Sequence, residues 1–567
     1  MFYNGIIFDL DNTLYNYDKC HSSALDNVIT FIQKNTKFND IYYIKNLYEN
    51  ISKNNKYELK NTASSHNKSI YFKKLLECLK LNYLLFSKIN DIYWSTFYKC
   101  IECFEGVKEF IIWNKKIGKK IGVLTDYETE FQIIKLEKLE LLEYIDIIIT
   151  SEEVGIEKPS IHMFQTILRK MNLLASEVIM IGDSYEKDIQ GAINMDILSY
   201  WFNISSSEHY CNKDKYIEFN NFVLLNTEFN QIYNELIKLK TISKYCGERF
   251  DLIQAGGGNT SIKIDDWMFI KASGYGLSNI DTNNGYVIIN NNKVIQDISN
   301  NQVCDVIQYN IMGNKRGSIE TFMHSILKKY TIHLHPIQVN RFLVCKNARE
   351  VCHSLYPVGL IIDYFTPGIK VCNEIKKLYN NENVIFLLNH GLIITSDTID
   401  DIYIYLNDVL LAFENKIKDI NFEKYKYTNL LSKQVNDIFK IDNITYLCED
   451  NLINDYLVNK KELFNKNITF PDALVYCGIK SLYICDILNF ELEILNYKKV
   501  YEESPKIIII EKNIYISSNT LNKCKEIEDV LKSNLIILTS NKKKSYLSSE
   551  EICFLNNWDA EKFRKLT

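Results

Sequence analysis

The chain has 567 residues, 46% hydrophobic and 24% charged, an ordinary globular balance that excludes a disordered or collagen-like protein. At roughly 100–200 residues per domain, it holds about three or four compact units. Lys and Arg number 66 against 71 Asp and Glu, a net charge of −5; that argues against a nucleic-acid coat, since phosphate binding needs a clustered positive excess.

The first residues, MFYNGIIFDLD, show no basic stretch leading into a long apolar one, so no signal peptide is expected. Gly5 to Leu10 reads as a short apolar strand that stops in acidic and turn residues. A long helical stretch follows over about 16–100, with apolar residues at mixed three- and four-residue spacing. From Phe104 the pattern alternates. Helices separate the strands IGVLT at 121–125, IDIIIT at 145–150 and EVIMIGD at 177–183, with a helix near 160–172. Strands alternating with helices imply βαβ units and a parallel sheet, which carries its functional residues at the carboxyl ends of the strands.

Those ends carry a consistent set: Asp9, Asp11 and Thr13 after the first strand, Thr125 ending the second, Lys158 after the third, and Asp183 ending the fourth with Asp188 beyond it. Two carboxylates at i and i+2 can divide two tasks, one attacking phosphorus and the other managing a proton. Asp183 can join Asp9 in holding Mg²⁺, a hard ion that wants oxygen ligands. Lys158 and Thr125 can neutralise and hydrogen-bond phosphoryl oxygens. A single acidic turn after a strand is common; four elements in order, each on a strand end, are far more specific.

Residues 1–235 thereby resemble the haloacid dehalogenase-like phosphohydrolases, through FDLDNTLY at 8–15, GVLTD at 122–126, GIEKPS at 155–160 and MIGDSYEKDIQGA at 180–192. The resemblance implies a Rossmann-like parallel sheet, with residues 16–100 as a helical cap. It implies Asp9 as nucleophile and Asp11 as general acid/base, Thr125 and Lys158 on the phosphate, and Mg²⁺ held by Asp9, Asp11 and Asp183, with Asp188 nearby. Asp126 departs from the asparagine that often follows the threonine in this family.

The sheet pattern ends in the polar stretch around Asn203 to Asn221, or after a helix ending near Lys240. Next comes AGGGNTSIK at 255–263. Three glycines let backbone N–H groups approach an anion, and Asn259 and Ser261 can add side-chain bonds, although such a run also serves a tight turn. FIKASGYG at 269–276 and RGSIET at 316–321 are further small-residue loops, with Lys271 and Arg316 as charge partners or solvated groups.

His333 and His335 lie two apart in the strand-like YTIHLHPIQV, so both imidazoles share one face. His390 lies in a second strand-like run, VIFLLNHGLIIT at 384–395. Three histidines with an open fourth position describe a catalytic zinc site. His324, one helical turn after Glu320, is a candidate to support them. The remaining five of the nine histidines (His21, His66, His162, His209 and His353) read as surface or packing residues.

Residues 240–425 resemble the class II aldolase/adducin family, since GGGNTS, the ASG loop, SIET, HLHP and NHGL match in order. That resemblance implies Zn²⁺ on His333, His335 and His390, Glu320 as catalytic acid/base, and a phosphate cradle of Asn259, Ser273, Gly274 and Ser318. FPDALVYCG at 470–478 and the closing LSSEEICFLNNWDAEKFRKL are similar to the aldolase portion of long rhamnulose-1-phosphate aldolase/alcohol dehydrogenase proteins; no nicotinamide chemistry is expected. The expected layout is an α/β chain with a capped phosphatase over 1–238, a zinc domain over 239–430 and a C-terminal extension over 431–567.

The expected function is a two-step enzyme. Zinc-dependent addition of dihydroxyacetone phosphate to a short aldehyde gives a ketose 1-phosphate, and the Mg²⁺-dependent phosphatase releases the free sugar. Alternatives are a sugar-phosphate dehydratase of the methylthioribulose-phosphate type, a pentulose-phosphate epimerase, or a non-enzymatic assembly module. Expected partners are small phosphorylated sugars, with no nucleic acid and no membrane. A homo-oligomer, a tetramer by resemblance, would supply a tyrosine proton donor that the sequence does not place. Fifteen scattered cysteines, with the lone CxxC at Cys100 and Cys103 read as helix packing, and apolar runs no longer than the likes of Ile507–Ile510 fit a reducing cytoplasm. The KKK at Lys542 to Lys544 reads as a solvated loop.

Overall fold

A computed structural model describes residues 3–206, 210–212, 216–313, 315–414, 423–465, 468–486, 489–540 and 544–557. His209, Lys542, Lys543 and the last ten positions of the expected C-terminal likeness lie outside the described residues. The chain divides into two compact units. One takes in Met1–Leu236 with the short stretches Val287–Asn290 and Ile307–Lys315, and the other takes in the remainder. The main boundary falls inside a single helix, Phe222–Gly247.

The first unit is built on a seven-stranded sheet of β1 (Gly5–Phe8), β2 (Lys120–Thr125), β3 (Ile147–Thr150), β4 (Val178–Gly182), β5 (Leu198–Phe202), β6 (Tyr210–Asn212) and β7 (Tyr216–Phe219). Its order is β3-β2-β1-β4-β5-β7-β6, parallel except for the last pair. β1 lies between β2 and β4, so the residues following these three strands share one edge. The strands are near-continuous apolar runs because both faces are covered. On one face the helix Ile161–Met171 buries Met163, Phe164, Ile167 and Met171, at helical spacing, against Ile7, Leu124, Ile149 and Met180.

The segment after β1 forms four helices, α1 (Tyr17–Asn35), α2 (Ile41–Glu58), α3 (Lys68–Cys78) and α4 (Phe86–Cys100). Asn16, Asp40 and Asn67 cap the first three, each accepting a backbone N–H from the first turn. Their shared core is aromatic: Tyr48, Phe72, Tyr93 and Phe97 are buried and meet largely at tilted or edge-on angles. His21 packs into this cluster, with Nδ1 2.7 Å from the Tyr93 hydroxyl.

The second unit centres on the β9-β8-β12-β15-β14-β13 part of an eight-stranded sheet of order β11-β10-β9-β8-β12-β15-β14-β13. Its strands are β8 (Asn259–Ile264), β9 (Trp267–Lys271), β10 (Tyr286–Asn290), β11 (Asn310–Met312), β12 (Tyr330–Leu334), β13 (Leu360–Ile362), β14 (Val384–Leu387) and β15 (Gly391–Ser396). The strand-like run at 384–395 is thus a hairpin rather than one strand. Asn389, at φ +57°, turns the chain and puts His390 at the start of the return. Beyond it, β16 (Ile444–Leu447), β17 (Leu482–Ile484), β18 (Ile507–Ile510) and β19 (Asn513–Ser518) form a small sheet of order β16-β19-β18-β17. It is buried against the helix Leu521–Thr539 through Ile507, Ile509, Ile527 and Leu531. Among the described residues no helix is long and apolar enough to cross a membrane.

Candidate active sites

In the first unit Asp9 leaves β1 and lies buried, its backbone N–H on Ile181 O at 2.9 Å. One carboxylate oxygen pairs with Lys158 Nζ, which also donates to Asp188 Oδ1 at 2.7 Å and Leu124 O at 3.0 Å. The other accepts the Thr13 hydroxyl at 3.0 Å, while Thr13 Oγ1 takes the Asp183 N–H at 3.0 Å. Asp188 reaches the cluster from the π-helical turn Tyr185–Ile189, and Ser184 N donates to its Oδ2 at 3.0 Å. Gly182 is required there, because a Cβ would come within 2.5 Å of Asp188 Cβ.

Asp9, Asp183 and Asp188 each offer an oxygen within 4.8 Å of the others. Burial pushes Asp9 up against the opposing pull of Lys158, and burial with Asp188 beside it raises Asp183 to about 6. Buried Asp9 and Asp188 share the Lys158 ammonium and half-buried Asp183 stands beside them, a charge excess that a hard divalent cation relieves. The donor set therefore fits Mg²⁺.

Asp11 differs from the expected metal set. Its carboxylate is committed to Lys135 Nζ (2.8 and 3.1 Å), to Gln132 Nε2 (3.1 Å) and to the Tyr15 hydroxyl, while Asp188 stands with Asp9 and Asp183 instead. Burial opposes its charge, but the Lys135 ammonium together with the Tyr15 and Gln132 hydrogen bonds holds the carboxyl below its usual range. Thr125 Oγ1 accepts from the same Gln132 at 2.6 Å. Asp126, the departure from the family pattern, takes Lys158 N at 3.0 Å and Lys187 Nζ at 2.8 Å. Asp9, Asp11, Lys158 and Asp183 line a cavity of about 270 Å³ that cap residues, Lys68 and Trp94 among them, also line.

In the second unit His333 sits on β12 directly across from Asn259 of β8, and His335 follows the strand end. His333 and His335 bring their Nε2 atoms to 3.1 Å. Glu320 Oε1 lies 3.5 Å from His333 Nε2 and 3.3 Å from His390 Nε2. Tetrahedral zinc with bonds of about 2.0–2.1 Å spaces its ligand atoms about 3.3 Å apart, so these donors fit Zn²⁺. Burial drives the His333 imidazole down to about 3, leaving it neutral and able to ligate. Gly391 lets the histidines approach: a Cβ there would meet Leu334 O at 2.5 Å and His335 Cδ2 at 2.8 Å.

Asn259 Nδ2 donates to Glu320 Oε2 and so orients the carboxylate. Lys271 Nζ donates to Tyr275 O at 2.8 Å and Gly256 O at 3.3 Å, tying the glycine run to the next loop. Ser273 N is used on Arg316 O at 2.8 Å, Gly274 turns at φ +83°, and Ser318 Oγ accepts Glu320 N at 3.3 Å. The three loops therefore meet, with Asn259 and Ser318 bonded to Glu320 and Arg316 paired outward to Asp305. His324 Nδ1 lies 2.7 Å from Ser261 Oγ, and burial lowers its imidazole to about 3.

Residues 6–202 match the haloacid dehalogenase-like hydrolase family, and residues 241–414 match the class II aldolase and adducin N-terminal domain. A ribulose-1,5-bisphosphate 5-phosphatase of Halopiger xanaduensis is 33% identical over 198 residues, covering 33% of this chain and 80% of that protein. The chain belongs to the haloacid dehalogenase-like hydrolases. It is a fusion, with a class II aldolase-type domain after the hydrolase. A glyceraldehyde 3-phosphate phosphatase of Methanocaldococcus jannaschii is 27% identical over 197 residues, 34% of this chain and 82% of its own. The solved N-terminal class II aldolase domain of a Thermoplasma acidophilum protein is 23% identical with a TM-score of 0.29, covering 31% of this chain and 91% of its own.

Several residues of this hydrolase fusion lay outside the sequence reading. Gln132 and Lys135 hold Asp11 from a helix, Thr129–Lys138, that follows the β2 end. Their signal is a polar pair at i and i+3, which shares a helix face. Lys187 bridges Asp126 and Glu157, and His66, read as bland, lines the cavity and pairs with Glu157 at 3.1 Å. His162 and His353 are exposed.

Proposed function

We propose that the protein joins dihydroxyacetone phosphate to a short aldehyde in its second unit, and dephosphorylates the resulting ketose 1-phosphate in its first. The observation that carries this reading is Glu320, whose Oε1 stands 3.3–3.5 Å from two of three convergent histidines, on the same chain as the buried Asp9–Lys158–Asp188 cluster.

Zn²⁺ on His333, His335 and His390 would supply Lewis-acid polarisation of the ketone and its neighbouring hydroxyl. Glu320 removes the proton from the carbon beside that carbonyl; the carbon then bonds to the aldehyde carbon as the aldehyde C=O pair moves onto its oxygen, which takes up the proton that Glu320 holds. Asn259 fixes the free lobe of the carboxylate for that transfer. The glycine, Ser273–Gly274 and Ser318 loops bound the space in which the phosphate is seated.

In the first unit Mg²⁺ on Asp9, Asp183 and Asp188 would supply charge neutralisation at the phosphoryl group. Asp9 attacks phosphorus, forming an aspartyl-phosphate as the sugar oxygen leaves. Asp11 gives that oxygen its proton and then takes one from the water that hydrolyses the acyl phosphate. Lys158 holds Asp9 and balances the added charge. Relatives named for ribulose 1,5-bisphosphate and glyceraldehyde 3-phosphate support a small sugar phosphate as substrate. Loss of phosphate makes the sequence irreversible and draws the condensation forward.

The test uses the full chain carrying Asp9→Asn and loaded with zinc, incubated with dihydroxyacetone phosphate and glycolaldehyde, lactaldehyde or glyceraldehyde. Phosphorus NMR should show a new ketose phosphate that the unsubstituted chain converts to free sugar and inorganic phosphate. Zinc-loaded protein that condenses none of the aldehydes would overturn the aldolase half; a ketose phosphate left intact by the unsubstituted chain would overturn the coupling.

A further inference from the structure

Five lysines line the phosphatase cavity: Lys56, Lys68, Lys135, Lys158 and Lys187. Three are committed to carboxylates, Lys135 to Asp11, Lys158 to Asp9 and Asp188, and Lys187 to Asp126 and Glu157. The other two come from the cap and form no ion pair among the described residues. Lys56 is an exposed residue near the end of α2.

Lys68 is the telling one, because it is only 7% exposed and still faces the cavity. Its ammonium lies 5.0 Å from the Tyr71 ring and 5.7 Å from the Tyr17 ring, which soften the charge but do not replace its water. Burial, with Lys56 and Lys135 adding to it, lowers its ammonium to about 7. A buried, unpaired cation is costly, and natural folds keep one where something negative arrives. Lys68 is also the first residue of the eleven-residue helix α3, whose N-terminal dipole adds positive potential at the same point.

We propose that the phosphatase substrate carries a second anionic group, a phosphate or a carboxylate, and that Lys68, with Lys56 at the rim, receives it while Asp9 attacks the other end. The inference rests on the phosphatase half of the function proposed above and narrows it: in the coupled sequence the aldehyde would bring the second anion. It also explains the composition of the cavity wall, where a neutral sugar end would leave Lys68 dry and unpaired.

The experiment compares matched probes on the magnesium-loaded full chain: fructose 1-phosphate against fructose 1,6-bisphosphate, and glycerol 3-phosphate against 3-phosphoglycerate. Phosphate release gives kcat/KM for the unsubstituted chain, and calorimetry on the Asp9→Asn chain gives binding without turnover. The doubly anionic member of a pair should win by about 10- to 100-fold, the range of one charge-assisted hydrogen bond, and the winning pair separates a phosphate from a carboxylate receptor. Lys68→Met should collapse that ratio, and Lys68→Arg should keep most of it, which distinguishes lost recognition from misfolding. No preference in either pair, or a ratio that survives Lys68→Met, would overturn the proposal. A Lys68-dependent binding preference without any phosphate release would instead sink the phosphatase reading and leave the anion receptor standing.

Discussion

Lys135 Nζ donates to both oxygens of Asp11, at 2.8 and 3.1 Å, from a side chain only 1% exposed. Four aromatic rings, those of Tyr15, Tyr17, Phe97 and Tyr127, lie within 5.4–6.0 Å of that ammonium. The lysine cannot follow Asp11 through a large movement, so the carboxylate is held where the cage puts it.

Lys135→Met should therefore lower kcat for phosphate release by about 100-fold, the order of one general acid/base contribution, with little change in KM. Lys135→Arg should restore part of the loss. Steady-state phosphate release with a thermal melt on each variant checks this; a raised KM at unchanged kcat would show that Lys135 binds substrate instead of positioning Asp11.

The histidine cluster gives a separate expectation. His335→Ala removes one of three convergent nitrogens, so elemental analysis should find zinc falling from one per chain to a small fraction of that. Phosphate release through Asp9 should persist, because none of the phosphatase residues is altered. Zinc retained at full stoichiometry in the variant would place the metal elsewhere.

The strand ends were legible in the sequence because both faces of a parallel sheet are apolar and the acidic residues stop the runs abruptly. Asp9, Thr125 and Asp183 consequently sit where βαβ reasoning puts them. The commitment of Asp11 to Lys135 was not legible, since the partners are 124 residues apart and join only when the helix after β2 folds back. His390 shows a different limit. Its run of apolar residues reads as one strand, and the turn rests on Asn389 taking a left-handed conformation that asparagine tolerates but does not announce. The role of Lys68 was hidden for the same reason as Lys135: burial of a lysine is a property of the packed cap.

Gly391 tests how tightly the metal site is built. Alanine there would place Cβ 2.5 Å from Leu334 O, 2.8 Å from His335 Cδ2 and 3.0 Å from His333 Cε1. The carbonyl belongs to Leu334 of β12, which is paired to Leu392, the neighbour of Gly391 on β15, so relief must come from moving a histidine or opening the sheet. Gly391→Ala should cost about 1–3 kcal/mol, as overpacking does, and weaken zinc binding at the same time. Gly276→Ala is the control, with its nearest neighbour 3.6 Å away. Thermal melts and zinc titration of both variants check the contrast; equal behaviour would mean that the histidines can retreat without penalty.

His21 sets the acid tolerance of the cap. Burial, reinforced by Lys68, Lys56 and Lys45, lowers its imidazole from 6.5 to about 3. The unfolded segment therefore binds a proton near pH 6.5, and the folded cap does so only near 3. Between those values the unfolded form holds more protons, so cap stability should fall as pH drops from about 6.5 toward 3 and be fully present above that window. Glutamine at this position keeps a polar partner for the Tyr93 hydroxyl without titrating. Protection of α1 peptides against hydrogen exchange, corrected for the fall of the intrinsic exchange rate with pH, should drop on acidification in the unsubstituted chain, and His21→Gln should flatten that dependence. The same slope in both would mean that another group governs cap opening.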